Sequence, residues 1–224
     1  LSLDGSGGSL HRRGYRAAMG AAPLKENLAA GLISLTGWDG RQPLVDPCCG
    51  SGILLIEAVL MALQQAPGLN RSFALEGWAD FEPQLWHQEQ DRARQRRRRD
   101  LELPTVMGFE EDPSIADQAR ANVAAAGLND LISIRNGRFN DHPLPDGTGV
   151  LVCNPPYGQR IGDEAELEEL YRELGNYAKA NAAGWQLWLL SGNPNLTRAL
   201  RLKAERRIPV SNGGIDCRWL HYDI

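Results

Sequence analysis

Residues 43–52 read PLVDPCCGSG and lead directly into the apolar run ILLIEAVLMAL of residues 53–63. This order predicts a short buried strand, a glycine-rich turn and a helix that ends near Gln65, before a proline and a glycine. The glycines permit a tight turn and close approach of a ligand to the backbone. A dinucleotide-binding GxGxxG would need glycine at position 55, which is leucine, and the P-loop signature GxxxxGK[ST] is absent. Asp46, just before the turn, favours a cationic ligand.

The rest of the chain continues the alternation of strands and helices. Further strands are predicted at 105–110, 131–135, 149–153 and 186–190, and a second helix at 112–126, with Asp112 suited to cap it. Apolar residues between Leu167 and Ala178 recur at helical spacing. Near-continuous apolar strands separated by helices indicate a doubly wound α/β fold, with a mostly parallel sheet covered on both faces.

The composition excludes several classes of protein. A chain of 224 residues with 42% hydrophobic residues can fill one domain, with some additional chain at its ends. Its longest apolar run contains Glu57 and is too short to cross a bilayer, and residues 1–20 have no apolar signal-peptide core. The four cysteines form no CxxC pair and have no histidine ligands nearby, which argues against zinc and disulfides and favours a reducing cytoplasm.

In such sheets, ligands bind outside the carboxyl ends of the strands, so the loops there form the candidate site. Glu110 ends the second strand and is placed to accept from both hydroxyls of a ribose, although acidic residues here are also typical of a helix cap. The fourth strand runs into VCNPPYG, residues 152–158. Because proline cannot donate to a strand ladder, a structural turn is the simplest interpretation of that segment taken alone.

Taken in order, DPCCGSG, GFEEDP and NPPYG resemble motifs I, II and IV of class I S-adenosylmethionine-dependent methyltransferases. NPPY is similar to the branch that methylates exocyclic or amide nitrogens. LDGSGGSLHRRGYR, APLKENLA, NPPYGQRIG and LYRELG resemble more closely the 23S rRNA guanine-N2 methyltransferases with an N-terminal THUMP domain, and their archaeal tRNA guanine-N2 relative. This resemblance extends from Leu3 to Tyr222.

The resemblance implies an architecture and a cofactor. It implies a seven-stranded, mostly parallel sheet with an antiparallel last strand in residues 41–224, and an N-terminal extension with a helix, residues 1–40, packed on it. A THUMP domain is expected to precede this region in the full-length protein. The cofactor is expected to be S-adenosylmethionine, contacted by Asp46, Cys48, Gly50, Ser51, Gly52, Glu110, Arg138, Phe139 and Asn154.

The resemblance also implies roles for the catalytic loop, residues 154–157. The Asn154 side-chain oxygen and the Pro155 carbonyl are expected to accept the two N–H bonds of a guanine amine. Pro156 fixes the direction of that carbonyl, because proline has a restricted φ and no N–H. Tyr157 offers a ring on which the base can stack.

The segment after the third strand departs from the family pattern. Arg138 stands where an acidic residue usually accepts the adenine amine, and arginine cannot accept that hydrogen bond. Adenine is therefore expected to be held by backbone groups near Arg138 and by stacking on Phe139. Asn140 and Asp141 are alternative acceptors.

Two groups of arginines are candidates for contacts with RNA phosphates. The first comprises Arg12, Arg13 and Arg16, and the second is the run within residues 92–99, with Arg96 and Arg97 as expected contacts. Such a run is also typical of a solvated helix face or a loop. The expected function is methylation of guanine N2 in 23S rRNA in the cytoplasm, without metal or membrane. The alternatives are tRNA guanine N2, adenine N6, protein glutamine and, more remotely, a nucleotide-binding oxidoreductase or a non-catalytic RNA-binding module.

Overall fold

The computed structural model describes residues 2–16, 24–157 and 164–224 of the chain. In these ranges the strands are β1 Leu44–Asp46, β2 Val106–Glu110, β3 Ser133–Asn136, β4 Val150–Cys153, β5 Gln186–Ser191, β6 Arg206–Asn212 and β7 Ile215–Asp223. The α-helices are α1 Glu26–Thr36, α2 Ile53–Ala62, α3 Pro83–Gln95, α4 Pro113–Ala125, α5 Glu164–Asn181 and α6 Pro194–Ala199. Short 3-10 helices lie at Ala74–Gly77 and Phe139–Asp141.

Within the described residues, the strands form a single seven-stranded sheet in the order β3-β2-β1-β4-β5-β7-β6. The pairs β1–β2, β2–β3, β1–β4 and β4–β5 are parallel, while β7 runs antiparallel between β5 and β6. The predicted doubly wound, mostly parallel sheet with an antiparallel last strand is therefore confirmed. The order of strands reverses between β1 and β4, which is where such folds bind their ligands.

Two apolar layers cover the sheet. On one face α2 is buried from Ile53 to Leu60, because α1 covers its outer side with Ala29, Leu32 and Ile33. On the other face α5 buries Tyr171 and Leu174. The strands between these layers are apolar on both sides, which explains why they read as continuous hydrophobic runs.

Helix α2, which follows β1, is shorter than predicted. It ends at Ala62 rather than near Gln65, because Gln64 takes a left-handed φ of 55°. The Gln65 N–H then donates to the Leu60 carbonyl and the Gln64 N–H to the Met61 carbonyl, both at 2.9 Å. This is the paired hydrogen bonding of a Schellman cap, with glutamine where glycine is usual.

Candidate active site

The turn after β1 joins two acidic side chains at the carboxyl edge of the sheet. Asp46 is the last residue of β1 and is 1% exposed, and its Oδ1 accepts the Cys48 N–H at 3.1 Å. Glu110 ends β2 and accepts the Gly50 N–H on Oε2 at 3.1 Å and the Asp112 N–H on Oε1 at 3.0 Å. The Glu110 carboxylate thus links the turn to the start of α4.

Both carboxyl groups have unusual electrostatics. Burial raises the pKa of Asp46, the Cys48 amide opposes this shift and the negative charge of Glu110 adds to it, so that the pKa lies at about 8. Burial also raises the pKa of Glu110, against the hydrogen bonds from Asp112 and Gly50. A positively charged ligand near the turn would therefore stabilise the ionised form of both groups.

The turn has the shape of a ligand cradle. Gly50 and Gly52 have φ values of 52° and 80°, which side chains other than glycine rarely adopt. A Cβ added at Gly50 would meet nothing within 4 Å, so the space beside the turn is open. Ser51 is half-buried between the glycines, and the Cys49 N–H donates to the Phe109 carbonyl at 2.8 Å. The backbone of the turn is thus hydrogen-bonded to β2 at Cys49, while its side at Gly50 is open to a ligand.

The cysteines of this region lie in a packed environment. Cys49 lies so close to β2 that a Cβ on Gly108 would come within 2.7 Å of the Cys49 Cβ. Burial raises the pKa of the Cys49 and Cys153 thiols well above their usual range. Cys48 is half-buried beside Cys153. The two buried thiols therefore stay protonated near neutral pH and pack as small turn and strand residues.

The loop after β4 contains an unsatisfied polar atom. Asn154 Oδ1 is buried and has no hydrogen-bond partner among the described residues, 2–16, 24–157 and 164–224. Pro155 is buried beside it and Pro156 is half-buried. Such an acceptor is costly unless a ligand or water completes it. Asn154 directly follows β4, which pairs with β1, so its position is beside the turn of Asp46.

Tyr157 is held at both ends. Its ring packs against the apolar layers of both faces of the sheet, and its hydroxyl accepts a hydrogen bond from Asn212 Nδ2 at 2.7 Å. The Cys217 thiol also points at this oxygen, at 3.5 Å. Burial raises the pKa of Tyr157 to about 12, so the phenol remains neutral near pH 7.

The segment after β3 differs from what the sequence predicts for Phe139. The Phe139 side chain is 3% exposed and meets the Tyr177 ring edge-on, with centroids 5.1 Å apart. This ring belongs to the core, so it offers little surface for the predicted stacking of adenine. Arg138 is exposed and pairs with Glu173 at 2.5 Å and Glu111 at 3.8 Å. The Arg138 side chain is thus directed by one carboxylate on α5 and one in the loop after β2.

The first arginine group is mostly structural. Arg13 pairs with Glu57 at 3.4 Å, and Arg16 pairs with Glu26 at 3.7 Å and donates to the Leu24 carbonyl. Their side chains are only 14% and 9% exposed. Both charges face buried carboxylates, so little of either side chain is available for the predicted contact with RNA. Arg12, which precedes both in the sequence, is exposed.

The second arginine group lies far from the carboxyl edge of the sheet. Arg92 and Arg94 pair with Glu89 and Asp91 on their own helix, whereas Arg96 is exposed and Arg97 half-buried just after α3. The backbone N–H of Arg98 donates to the Leu63 carbonyl at 2.8 Å, at the end of α2 opposite Gly52. A helix of this length separates the run from the turn by about 15 Å.

Three residues of the site were missed by sequence reasoning: Asn212, Cys217 and Gly192. The segment SNGGIDC has the Gly-Gly pair of a β-hairpin turn, so the hairpin itself had a signal. The contact of this hairpin with Tyr157 had no signal in the sequence. The contact exists because β7 inserts between β5 and β6, which brings the hairpin end to the loop after β4.

The sheet order, the acidic residues at the ends of β1 and β2 and the glycine turn between them define a class I S-adenosylmethionine-dependent methyltransferase. The chain belongs to the family described as UPF0020, RMKL-like, methyltransferase domain, whose model matches residues 13–221. The family, the fold class and the cofactor S-adenosylmethionine that the motifs predict are thereby confirmed.

Curated relatives and solved structures agree with this family. The chain is 43% identical over 226 residues to the ribosomal RNA large subunit methyltransferase K/L of Marinomonas sp. (strain MWYL1), covering 97% of this chain and 31% of that protein. The crystal structure of SMU.472 complexed with SAH is 33% identical, with a TM-score of 0.92 over 98% of this chain and 57% of that one. A predicted N6-adenine-specific DNA methylase from Listeria monocytogenes is 36% identical, with a TM-score of 0.90 over 98% and 56%.

The chain spans between 31% and 58% of the length of the first curated relatives that it matches. Among the described residues, no helix is long and apolar enough to cross a membrane. In the same ranges no group of three or more histidine, cysteine or carboxylate side chains is arranged to hold a metal ion.

Proposed function

We propose that this chain transfers a methyl group from S-adenosylmethionine to the exocyclic N2 of a guanosine in 23S rRNA. The observation that carries the proposal is the buried Asn154 Oδ1, which lacks a partner among the described residues and lies beside the turn of Asp46 and Gly50. The name of the Marinomonas relative supports ribosomal RNA as the substrate. The resemblance of the flanking segments to guanine-N2 enzymes supports the acceptor atom.

The turn after β1 fits the cofactor. Bound S-adenosylmethionine supplies a methyl group already activated on a sulfonium cation. Asp46 and Glu110 offer negative charge on both sides of the turn, and Glu110 is the group for the ribose hydroxyls. Gly50 and Gly52 leave the backbone open, with Cys48 and Ser51 completing the turn. Near Arg138 we assign adenine to backbone groups, because the Phe139 ring is buried.

The loop after β4 fits a planar amine. The lone pair of the guanine amine is delocalised into its ring, so the nitrogen is a poor nucleophile until it is held. Asn154 Oδ1 and the Pro155 carbonyl can each accept one of its N–H bonds, and Pro156 keeps that carbonyl aimed. Stacking on Tyr157 contributes about 1–3 kcal/mol. Because the methyl donor is already activated, alignment supplies most of the catalysis and no strong base is required.

The remaining assignments concern the surroundings of the site. We propose residues 41–224 as the catalytic domain, residues 1–40 as an extension packed on it, and a THUMP domain preceding it in a cytoplasmic full-length protein. Arg12, Arg96 and Arg97 are the proposed phosphate contacts, since their side chains are not engaged by buried carboxylates. Their distance from the turn suits RNA flanking the target nucleotide.

One experiment distinguishes guanine N2 from other acceptors. The gene is deleted, total rRNA and tRNA are digested to nucleosides, and mass spectrometry identifies the modification that disappears. We expect N2-methylguanosine to be lost from 23S rRNA, and to return with the wild-type gene but not with Asn154→Ala. Loss of N2-methylguanosine from tRNA instead would identify tRNA as the substrate. Loss of N6-methyladenosine, as the name of the Listeria structure suggests for that protein, or of a methylated glutamine, would overturn the guanine assignment.

A further inference from the structure

We infer that the β6–β7 hairpin positions the base-stacking ring of the acceptor site, with Asn212 as the principal positioning residue and Cys217 as a weaker one. The inference rests on the proposed function of Tyr157. It adds to the site two residues that lie 55 and 60 positions further along the chain and outside every recognised motif.

The first observation is the anchoring of the Tyr157 hydroxyl. Asn212 is the last residue of β6, and its Nδ2 donates to Tyr157 Oη at 2.7 Å, a short distance for an amide–hydroxyl hydrogen bond. Cys217 on β7 is fully buried and its thiol reaches the same oxygen at 3.5 Å. Since a thiol is a weak donor, most of the anchoring comes from Asn212.

The second observation is the packing of the same ring against the strand ends. Gly192 directly follows β5, and a Cβ added there would lie 3.2 Å from the Tyr157 ring carbons Cδ2 and Cε2. The same added atom would lie 3.1 Å from Ile215 Cγ2, at the start of β7. The ends of β5, β6 and β7 therefore surround the ring, and glycine at position 192 allows the close approach.

These contacts matter because the ring stands in the same loop as Asn154. The plane of a tyrosine ring depends on χ2, a broad torsion that the loop alone does not fix. The hydrogen bond at the hydroxyl fixes the direction of the side chain from Cβ to Oη, and the close packing of the ring carbons beside Gly192 and Ile215 fixes the plane of the ring about that axis. A base stacked on the ring is then presented to the Asn154 oxygen in one orientation, and an error of about 1 Å in such alignment can cost about 100-fold in rate.

The hairpin also explains why the phenol is retained. A residue that only stacks on a base needs an aromatic face and gains nothing from a hydroxyl. The Tyr157 hydroxyl is half-buried and engaged with the hairpin, and the raised pKa keeps it neutral. The hydroxyl thus serves as an attachment point for the hairpin and keeps its own proton near neutral pH.

A double-mutant cycle on the full-length protein tests the inference. Asn212→Ala, Tyr157→Phe and the double variant are compared by single-turnover methyl transfer to unmodified 23S rRNA at saturating S-adenosylmethionine. We expect each single variant to lose about tenfold in rate and the double variant no more than either, because both remove the same hydrogen bond. Cofactor affinity should stay within about twofold. Cys217→Ala should lose less than Asn212→Ala. The exposed neighbour Ser211→Ala is the matched control and should be unchanged.

Several results would overturn it. A wild-type rate in Tyr157→Phe would show that the ring needs no hydrogen bond to hold it. If Asn212→Ala fails to fold, Tyr157→Phe still tests the inference, because it keeps the ring and removes only the hydroxyl. Losses that multiply in the double variant would show that Asn212 acts elsewhere. A failure of the proposed function is distinguishable, because the wild-type protein itself would then transfer no methyl group to guanine N2 of 23S rRNA, whereas a failure of the inference leaves the wild-type rate intact and changes only the comparison of the variants.

Discussion

At the carboxyl edge of the sheet, the loops after β1 and β2 differ from the loop after β4 in how the hydrogen bonds of their polar side chains are satisfied. After β1 and β2, the carboxyl groups of Asp46 and Glu110 accept backbone N–H groups from the two turns that follow these strands. After β4, Asn154 Oδ1 is buried without a partner among the described residues. In the proposed site, the cofactor side is thus organised before any ligand arrives, whereas the acceptor side has an oxygen without a partner among the described residues. Leaving such an acceptor unpaired costs about 1–3 kcal/mol, which a substrate N–H would recover.

The largest effect is expected on the acceptor side. Asn154→Ala removes the side-chain oxygen that has no partner among the described residues. We expect single-turnover methyl transfer at saturating cofactor to fall about 100- to 1,000-fold, as when one hydrogen-bonding group of a preorganised site is deleted. Asn195→Ala, an exposed amide on α6, is the control and should keep the wild-type rate. A rate for Asn154→Ala within a few-fold of wild type would remove the distinction between the cofactor side and the acceptor side.

On the cofactor side, the buried Asp46 should make stability depend on pH. Its ordinary pKa is 3.8 and its native pKa is about 8, so the folded protein holds an additional proton between these values. The free energy of unfolding should therefore fall as pH rises from about 4 to 8, by up to about 1.4 kcal/mol per pH unit. Asp46→Asn does not titrate, and its amide oxygen can still accept the Cys48 N–H.

Urea denaturation at several pH values checks this prediction. The wild-type protein should lose more stability than Asp46→Asn between pH 5 and pH 8, and the two curves should diverge through this window. Other raised carboxyl groups are common to both proteins, so the difference between the curves reports Asp46 together with its coupling to Glu110. Parallel curves would mean that Asp46 ionises normally in the folded state.

Glu110→Ala is expected to weaken the binding of S-adenosylmethionine by about tenfold or more, because hydrogen bonds to a charged group contribute about 1.5–3 kcal/mol. Calorimetric titration measures the dissociation constant. Asp117→Ala, an exposed carboxylate on α4 paired with Arg120, is the control and should bind as wild type. An unchanged constant for Glu110→Ala would exclude it from the ribose role.

The smallest effect is expected at Gly192. A methyl group there would sit 3.1–3.2 Å from Ile215 and the Tyr157 ring, so the ring should shift by a few tenths of an ångström. We expect a loss of about two- to fivefold in methyl transfer, since small misalignments of a bound group reduce rates moderately. Gly31→Ala on the exposed side of α1 meets nothing within 4 Å and is the control. Equal rates for both variants would show that the ring position is tolerant.

The sequence predicted the parts of the site that are local in the chain. The glycine turn, Glu110 and the Asn154–Tyr157 loop each lie at a strand end, where apolar runs stop and turn residues begin. The Asp112 cap of α4 is also local, and its Oδ1 accepts the N–H groups of Ser114 and Ile115.

Long-range contacts were not predictable in this way. Arg13 and Arg16 look like surface residues in the sequence, but the fold places Glu57 and Glu26 against them. The sequence predicted that the Phe139 ring contacts adenine, but in the fold Tyr177 of α5 packs against this ring. Asn212 reaches Tyr157 only because β7 runs between β5 and β6. Each of these outcomes depends on which elements become neighbours, which spacing along the chain does not record.

The most direct test of the separation between cofactor side and acceptor side is the affinity of Asn154→Ala for S-adenosylmethionine, measured by calorimetric titration. The sequence resemblance placed Asn154 among both cofactor and substrate contacts, and in the structure its side-chain oxygen is buried without a partner among the described residues. The account predicts a dissociation constant within about twofold of the wild-type value, because the buried carboxylates and the glycine turn are untouched. A loss of affinity of about tenfold would contradict it, since Asn154 would then belong to the cofactor side.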